Sequence, residues 1–124
     1  MKNIEIVTIV NAYTEQKADG RGMKLPAKTA WTRRVNMDRL FRAKGIIDEA
    51  LKEISDRYAD DEHSTETDGK RVVKPEYIPQ YAKEQSEILL QDTDVDLRKV
   101  TVEDLGDIEL TDADMDTLAF MLDD

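Results

Sequence analysis

The sequence of 124 residues contains no cysteine, and it has only one histidine and one tryptophan. The lack of cysteine excludes disulfide bonds, thiolate catalysis and cysteine-bound zinc. Glycine is also scarce, at five residues, and neither GxGxxG nor a P-loop occurs, so a nucleotide site of either kind is not indicated. We therefore expect no cofactor, no bound metal and no enzymatic activity.

Long apolar runs are missing as well. No stretch approaches the roughly 18 residues needed to cross a bilayer, and the first residues, MKNIEIVTIVNAYTEQ, lack the apolar core and cleavage site of a signal peptide. These features predict an intracellular protein without membrane contact.

Charge is distributed unevenly. The chain has 28 acidic and 18 basic side chains, a net charge of -10; residues 92–124 hold 12 acidic and two basic ones. A basic stretch follows residue 32 and comprises Arg33, Arg34, Arg39, Arg42 and Lys44. Either these regions are solvated faces that partly neutralise one another, or they form a surface for a charged partner. The net charge disfavours binding to nucleic acid.

The first half of the chain predicts a helical hairpin. Residues 4–18 fit a helix, with a short strand at the start as the alternative, and Gly20 and Gly22 then mark a turn. Pro26 suits the first turn of a second helix, which extends over about residues 27–58. The apolar positions of the first helix are Ile4, Val7, Ile9, Val10, Ala12 and Tyr13.

The second helix is long for a small domain. About 33 residues span roughly 50 Å, whereas a compact domain of this size has a radius of gyration near 14 Å. We therefore expect the helix to kink at Gly45 or to pack against another copy or a partner, and we favour a homo-oligomer.

The second half is more varied. Residues 60–71 are polar and aperiodic, which predicts a mobile loop within a single domain spanning residues 1–124. Because a mobile loop cannot fix the groups around a ligand, we expect no functional role for its His63. A further helix is predicted over about residues 79–91.

The last third predicts a small β element and a short helix. Val95, Leu97, Val100 and Val102 alternate with polar residues, as in a half-buried strand. Thr111 and Asp114 resemble a capping box that opens a C-terminal helix. The predicted fold class is therefore mainly α (α+β).

One stretch has partial calcium-loop spacing. Asp92, Asp94, Asp96 and Glu103 match positions 1, 3, 5 and 12 of an EF-hand loop, but Leu97 occupies the position that requires glycine. We do not expect a calcium site.

Several short motifs resemble a family of small uncharacterised phage and prophage proteins. They are Leu25-Pro26-Ala27-Lys28 with Trp31 and Asn36, Val102-Glu103-Asp104-Leu105, Ile108-Glu109-Leu110, and the terminal Met115, Leu118, Phe120 and Met121. The resemblance implies a phage accessory or assembly protein in the bacterial cytoplasm, and it brings no catalytic residues.

Two functions are consistent with these features. The first is a non-enzymatic interaction protein that binds a protein partner; the alternative is an inhibitor of a host defence or nucleic-acid-handling enzyme whose carboxylates imitate backbone phosphates. The candidate contact residues are the acids Asp92, Asp94, Asp96, Glu103, Asp104 and Asp107 and the bases Arg33, Arg34, Arg39 and Arg42.

Overall fold

The computed structural model describes residues 1–19 and 23–123. It contains four α-helices and two strands: α1 (Asn3–Ala18), α2 (Ala27–Arg57), β1 (Ser64–Thr67), β2 (Lys70–Val73), α3 (Ile78–Leu89) and α4 (Asp112–Leu118). Single 3₁₀ turns occupy Pro75–Tyr77, Glu103–Leu105 and Ala119–Met121. The prediction of a mainly α protein with a helical hairpin and a small β element is confirmed. The predicted turn at Gly20 and Gly22 lies outside the described residues.

The main core forms where α1 packs on α2. Ile6 and Val10 of α1 are at most 1% exposed and belong to one cluster of buried residues with Leu40 and Ile47 of α2. Ile88 of α3 packs against the same cluster from the second half of the chain. Among the described residues, no helix has both the length and the apolar character needed to cross a membrane.

Helix α2 continues without interruption through Gly45 and has 31 residues, a length of roughly 46 Å. Its far end is covered by α3: Ser55 Oγ lies 2.8 Å from the Tyr81 hydroxyl, and the Tyr58 and Tyr81 rings meet edge to face at 5.1 Å. The far end of the long helix is thus covered by α3 of the same chain, and an oligomer is not needed to cover it. Self-association remains a prediction.

Residues 60–71, predicted as an irregular mobile loop, instead form a turn and most of an antiparallel hairpin. Strands β1 and β2 pair from Ser64 with Val73 to Thr67 with Lys70. Asp68 and Gly69 connect them with φ angles of 51° and 77°, which are the positive values that a two-residue hairpin turn requires. The small β element of this protein is therefore here.

The prediction of a strand around Val95 to Val102 is wrong. Val95 and Leu97 are half-buried against the main core, but this segment packs on helices and joins no sheet. Val100 makes a single isolated bridge with Leu122, and Val102 is 59% exposed. Apolar residues alternate with polar ones because one side of the segment is buried. A two-residue period in the sequence cannot distinguish such a segment from a strand.

A second core cluster lies beneath the C-terminal residues and consists of Val100, Leu105, Leu118 and Met121. The predicted capping box is confirmed, since the Asp114 N–H donates to Thr111 Oγ1 at 3.1 Å and the Thr111 N–H donates to Asp114 Oδ2 at 3.2 Å. These two bonds satisfy N-terminal amides of α4 and fix where the helix begins.

Candidate functional site

An open, largely apolar hollow of about 490 Å³ separates α1 from the C-terminal residues. One wall is a face of α1 along which every fourth residue lines the hollow: Ile4, Thr8 and Ala12. The facing wall is formed by Thr117 at the end of α4 and by Ala119 and Phe120 in the following turn. Ile4 remains 40% exposed beside the hollow.

Both walls are supported by contacts on the side that faces away from the hollow. Helix α1 buries Ile6 and Val10 against α2, so the stripe beginning at Ile4 faces away from that contact. The C-terminal wall is held because the Val100 N–H donates to the Met121 carbonyl and the Asp123 N–H donates to the Val100 carbonyl, both at 2.8 Å. The hollow is thus formed by two supported elements.

A second hollow of about 490 Å³ shares Ala12 and Thr117 with the first and continues along α1 to Gln16. We call the two together the α1–α4 groove. From Ile4 to Gln16 its α1 wall is roughly 18 Å long. Its lining residues are Ile4, Glu5, Thr8, Ile9, Ala12, Glu15, Gln16, Thr111, Ala113, Asp114, Asp116, Thr117, Ala119 and Phe120.

The charges along the groove have one sign. Glu5 and Glu15 come from α1, and Asp114 and Asp116 come from α4. Within the described part of the chain, no lysine or arginine lines the groove. The groove therefore has apolar walls with carboxylates beside them. This combination suits a ligand with an apolar surface flanked by positive charges.

Arg33, a sequence candidate for phosphate contact, is buried behind one end of the groove. Its guanidinium stacks 4.8 Å from the Tyr13 ring centroid and donates to Gln16 Oε1 at 2.9 Å. Burial lowers the pKa of Arg33, partly opposed by Tyr13 and Asp114. Arg33 thus supports Gln16 from within the protein and is not presented to solvent.

The other three arginine candidates do not converge on one point. Arg39 donates to the backbone carbonyl and the side chain of Asp96, at 2.5 and 3.2 Å. Arg42 pairs with Asp38 at 3.2 Å. Arg34 is exposed on α2, and the four arginines do not form a common phosphate site.

The acids Asp92, Asp94 and Asp96 are exposed and alternate with half-buried residues. This alternation places the three carboxylates on the solvent side of the segment. Two of them have cationic neighbours, since Asp92 Oδ1 lies 3.9 Å from the Met1 α-amino nitrogen and Asp96 pairs with Arg39. Their ligand atoms do not converge with that of Glu103 into a metal-binding group within the residues described.

Glu103 and Asp107 are exposed, and so is Asp104, which caps a local turn. Its carboxylate accepts from the Thr101 N–H at 2.9 Å, and the bonds to Thr101 lower the pKa of Asp104. A depressed folded-state pKa stabilises the fold above the unfolded pKa, and this contribution is lost as pH falls through the folded value. The acidity of Asp104 therefore has a structural cause.

Sequence reasoning did not identify the groove, although it singled out Ile4, Ile9 and Ala12 as apolar positions of the first helix. A helical stripe does not reveal whether it is covered. Comparison of the chain with protein-family models, with curated proteins and with solved structures finds no match.

Proposed function

We propose that this chain is a non-enzymatic interaction protein that binds a cationic amphipathic helix of a protein partner in the α1–α4 groove. The observation that carries the proposal is an apolar groove, open to solvent, whose charged lining residues are all carboxylates. Apolar side chains of the partner occupy the space between Ile4, Ala12 and Phe120, and its basic residues face Glu5 and Asp116.

A helix fits this groove better than an extended peptide does. Recognition by strand addition requires an unpaired sheet edge, and the walls here are helical. The α1 wall of roughly 18 Å accommodates about three turns of a bound helix, which presents apolar anchors at positions i, i+4 and i+7.

The resemblance to small phage and prophage proteins supports an accessory or assembly role in the cytoplasm of a bacterial host cell. The partner is then a phage or host protein. Self-association is a separate part of this proposal, and light scattering at low and high salt tests it.

Replacement of Thr8 by arginine is expected to weaken binding at least tenfold, because the long cationic side chain enters the groove. The probe is a labelled 18-residue helical peptide with leucine along one face and lysine elsewhere, and fluorescence anisotropy measures its affinity. A tenfold loss corresponds to about 1.4 kcal/mol.

Thr14→Arg is the matched control. Thr8 and Thr14 are both exposed threonines of α1 whose hydroxyls donate to the carbonyl four residues earlier, at 2.8 and 2.9 Å. Both variants change the net charge equally, but only Thr8 lines the groove. Equal weakening by the two substitutions would show that the peptide follows bulk charge, and the proposal would then fail.

Phosphate mimicry is the second candidate, supported by the one-sided array of Asp92, Asp94 and Asp96. If these carboxylates hold a nucleic-acid-binding enzyme, replacing all three with asparagine is expected to abolish its salt-sensitive capture from a bacterial lysate. Thr8→Arg should leave that capture intact. The opposite dependence would exclude mimicry and favour the groove.

A further inference from the structure

His63 occupies a fixed position just after α2. Its Nδ1 lies 2.6 Å from Asp60 Oδ1, and its backbone N–H donates to the same oxygen at 3.0 Å. The imidazole packs against the rings of Tyr58 and Tyr77, with centroids 5.3 and 4.7 Å away. His63 therefore has defined neighbours, which the prediction of an irregular segment did not include.

The backbone around His63 is equally well held. Ser64 is 2% exposed, and its N–H and hydroxyl both donate to the Asp60 carbonyl, at 3.0 and 2.9 Å. The Lys74 N–H donates to the His63 carbonyl at 2.8 Å, and Arg71 reaches Asp61 at 2.9 Å. The hairpin thus fixes the turn in which the side chains of residues 60–63 begin.

Three potential metal ligands meet at this turn. One carboxylate oxygen each from Asp60 and Glu62 and a ring nitrogen of His63 all lie within 4.8 Å of one another. Asp61 is paired with Arg71, whereas neither Asp60 nor Glu62 forms an ion pair with a lysine or arginine of the described chain.

We propose that Asp60, Glu62 and His63 form a binding site for a divalent transition-metal ion such as Zn²⁺. One imidazole nitrogen and two carboxylate oxygens suit zinc and its first-row neighbours, whereas Ca²⁺ and Mg²⁺ favour sites made of oxygen ligands. The ion takes the place of the contact between His63 Nδ1 and Asp60 Oδ1, and water completes its coordination. Bound there, it links the end of α2 to the hairpin.

The test is calorimetric titration of the untagged protein with Zn²⁺. We expect one strong site per chain and an affinity at least tenfold lower for Glu62→Gln. Glu62 is exposed and makes no hydrogen bond to another described residue, so its substitution should leave the fold intact. Glu66→Gln, on the exposed surface of β1, makes the same change of charge and should retain full affinity.

His63 provides an independent signal because it is the only histidine. One imidazole ¹⁵N resonance should shift on addition of Zn²⁺ and remain unchanged with Mg²⁺. Equal loss of affinity in Glu62→Gln and Glu66→Gln would indicate diffuse binding to acidic surface and overturn the proposal. An unshifted His63 spectrum at saturating Zn²⁺ would do the same.

Discussion

Replacement of Asn36 by leucine is expected to lower the free energy of unfolding by about 3 kcal/mol. Asn36 is fully buried in α2. Its Nδ2 donates to the Arg98 carbonyl at 2.9 Å, and its Oδ1 accepts from the Arg98 N–H at 2.8 Å. Leucine leaves both backbone groups of Arg98 without these partners, and each lost partner costs roughly 1–3 kcal/mol.

Urea denaturation followed by circular dichroism measures this change. Asn11→Leu, at an exposed position of α1, is the matched control and should alter stability by less than about 0.5 kcal/mol. Hydrogen exchange should also show faster exchange of the Arg98 amide in the Asn36 variant. A loss of stability no larger than that of the control would mean that Asn36 does not hold the backbone at Arg98.

Leu118→Ala should be at least as damaging, with an expected loss of about 3–4 kcal/mol. Leu118 is fully buried in the second core cluster with Val100, Leu105 and Met121. Truncation of the side chain removes apolar contacts and leaves a cavity within this cluster. The melting temperature should fall by roughly 12–15 °C.

Leu90→Ala provides the comparison for this core substitution, since Leu90 is 56% exposed and undergoes the same chemical change. We expect a loss below about 1 kcal/mol for it. Thermal melts of the two variants under identical conditions give the difference directly. Similar melting temperatures would contradict the assignment of Leu118 to a packed core.

The helices could be predicted because their signals are local. Apolar spacing located α1 and α2 to within a few residues, and Thr111 with Asp114 located the start of α4. The continuity of α2 through Gly45 was not predictable, because coverage by α3 depends on contacts between distant residues such as Ser55 and Tyr81.

The hairpin was missed although one local signal was present. Asp68-Gly69 is a strong two-residue turn sequence, but the flanking residues 64–67 are polar and gave no apolar alternation. The turn before the hairpin also has contacts outside the two strands, where His63 packs against Tyr58 and Tyr77, and local patterning does not reveal them. The groove was missed for a similar reason, since its walls are about a hundred residues apart in the chain.

The two core clusters have a consequence for how the α1–α4 groove behaves. The C-terminal wall flanks Leu118 and Met121 of the smaller cluster, and this part of the chain is joined to α2 by polar links that include Thr29 Oγ1 to the Asp104 carbonyl at 2.6 Å and Asn36 to the backbone of Arg98. A cluster at the edge of a fold can open without global unfolding. Phe120, packed against both clusters, lies at the boundary. If the groove holds the proposed partner helix, its occupancy will suppress such opening of residues 98–123, and the affinity for the partner will include the free energy of keeping these residues closed.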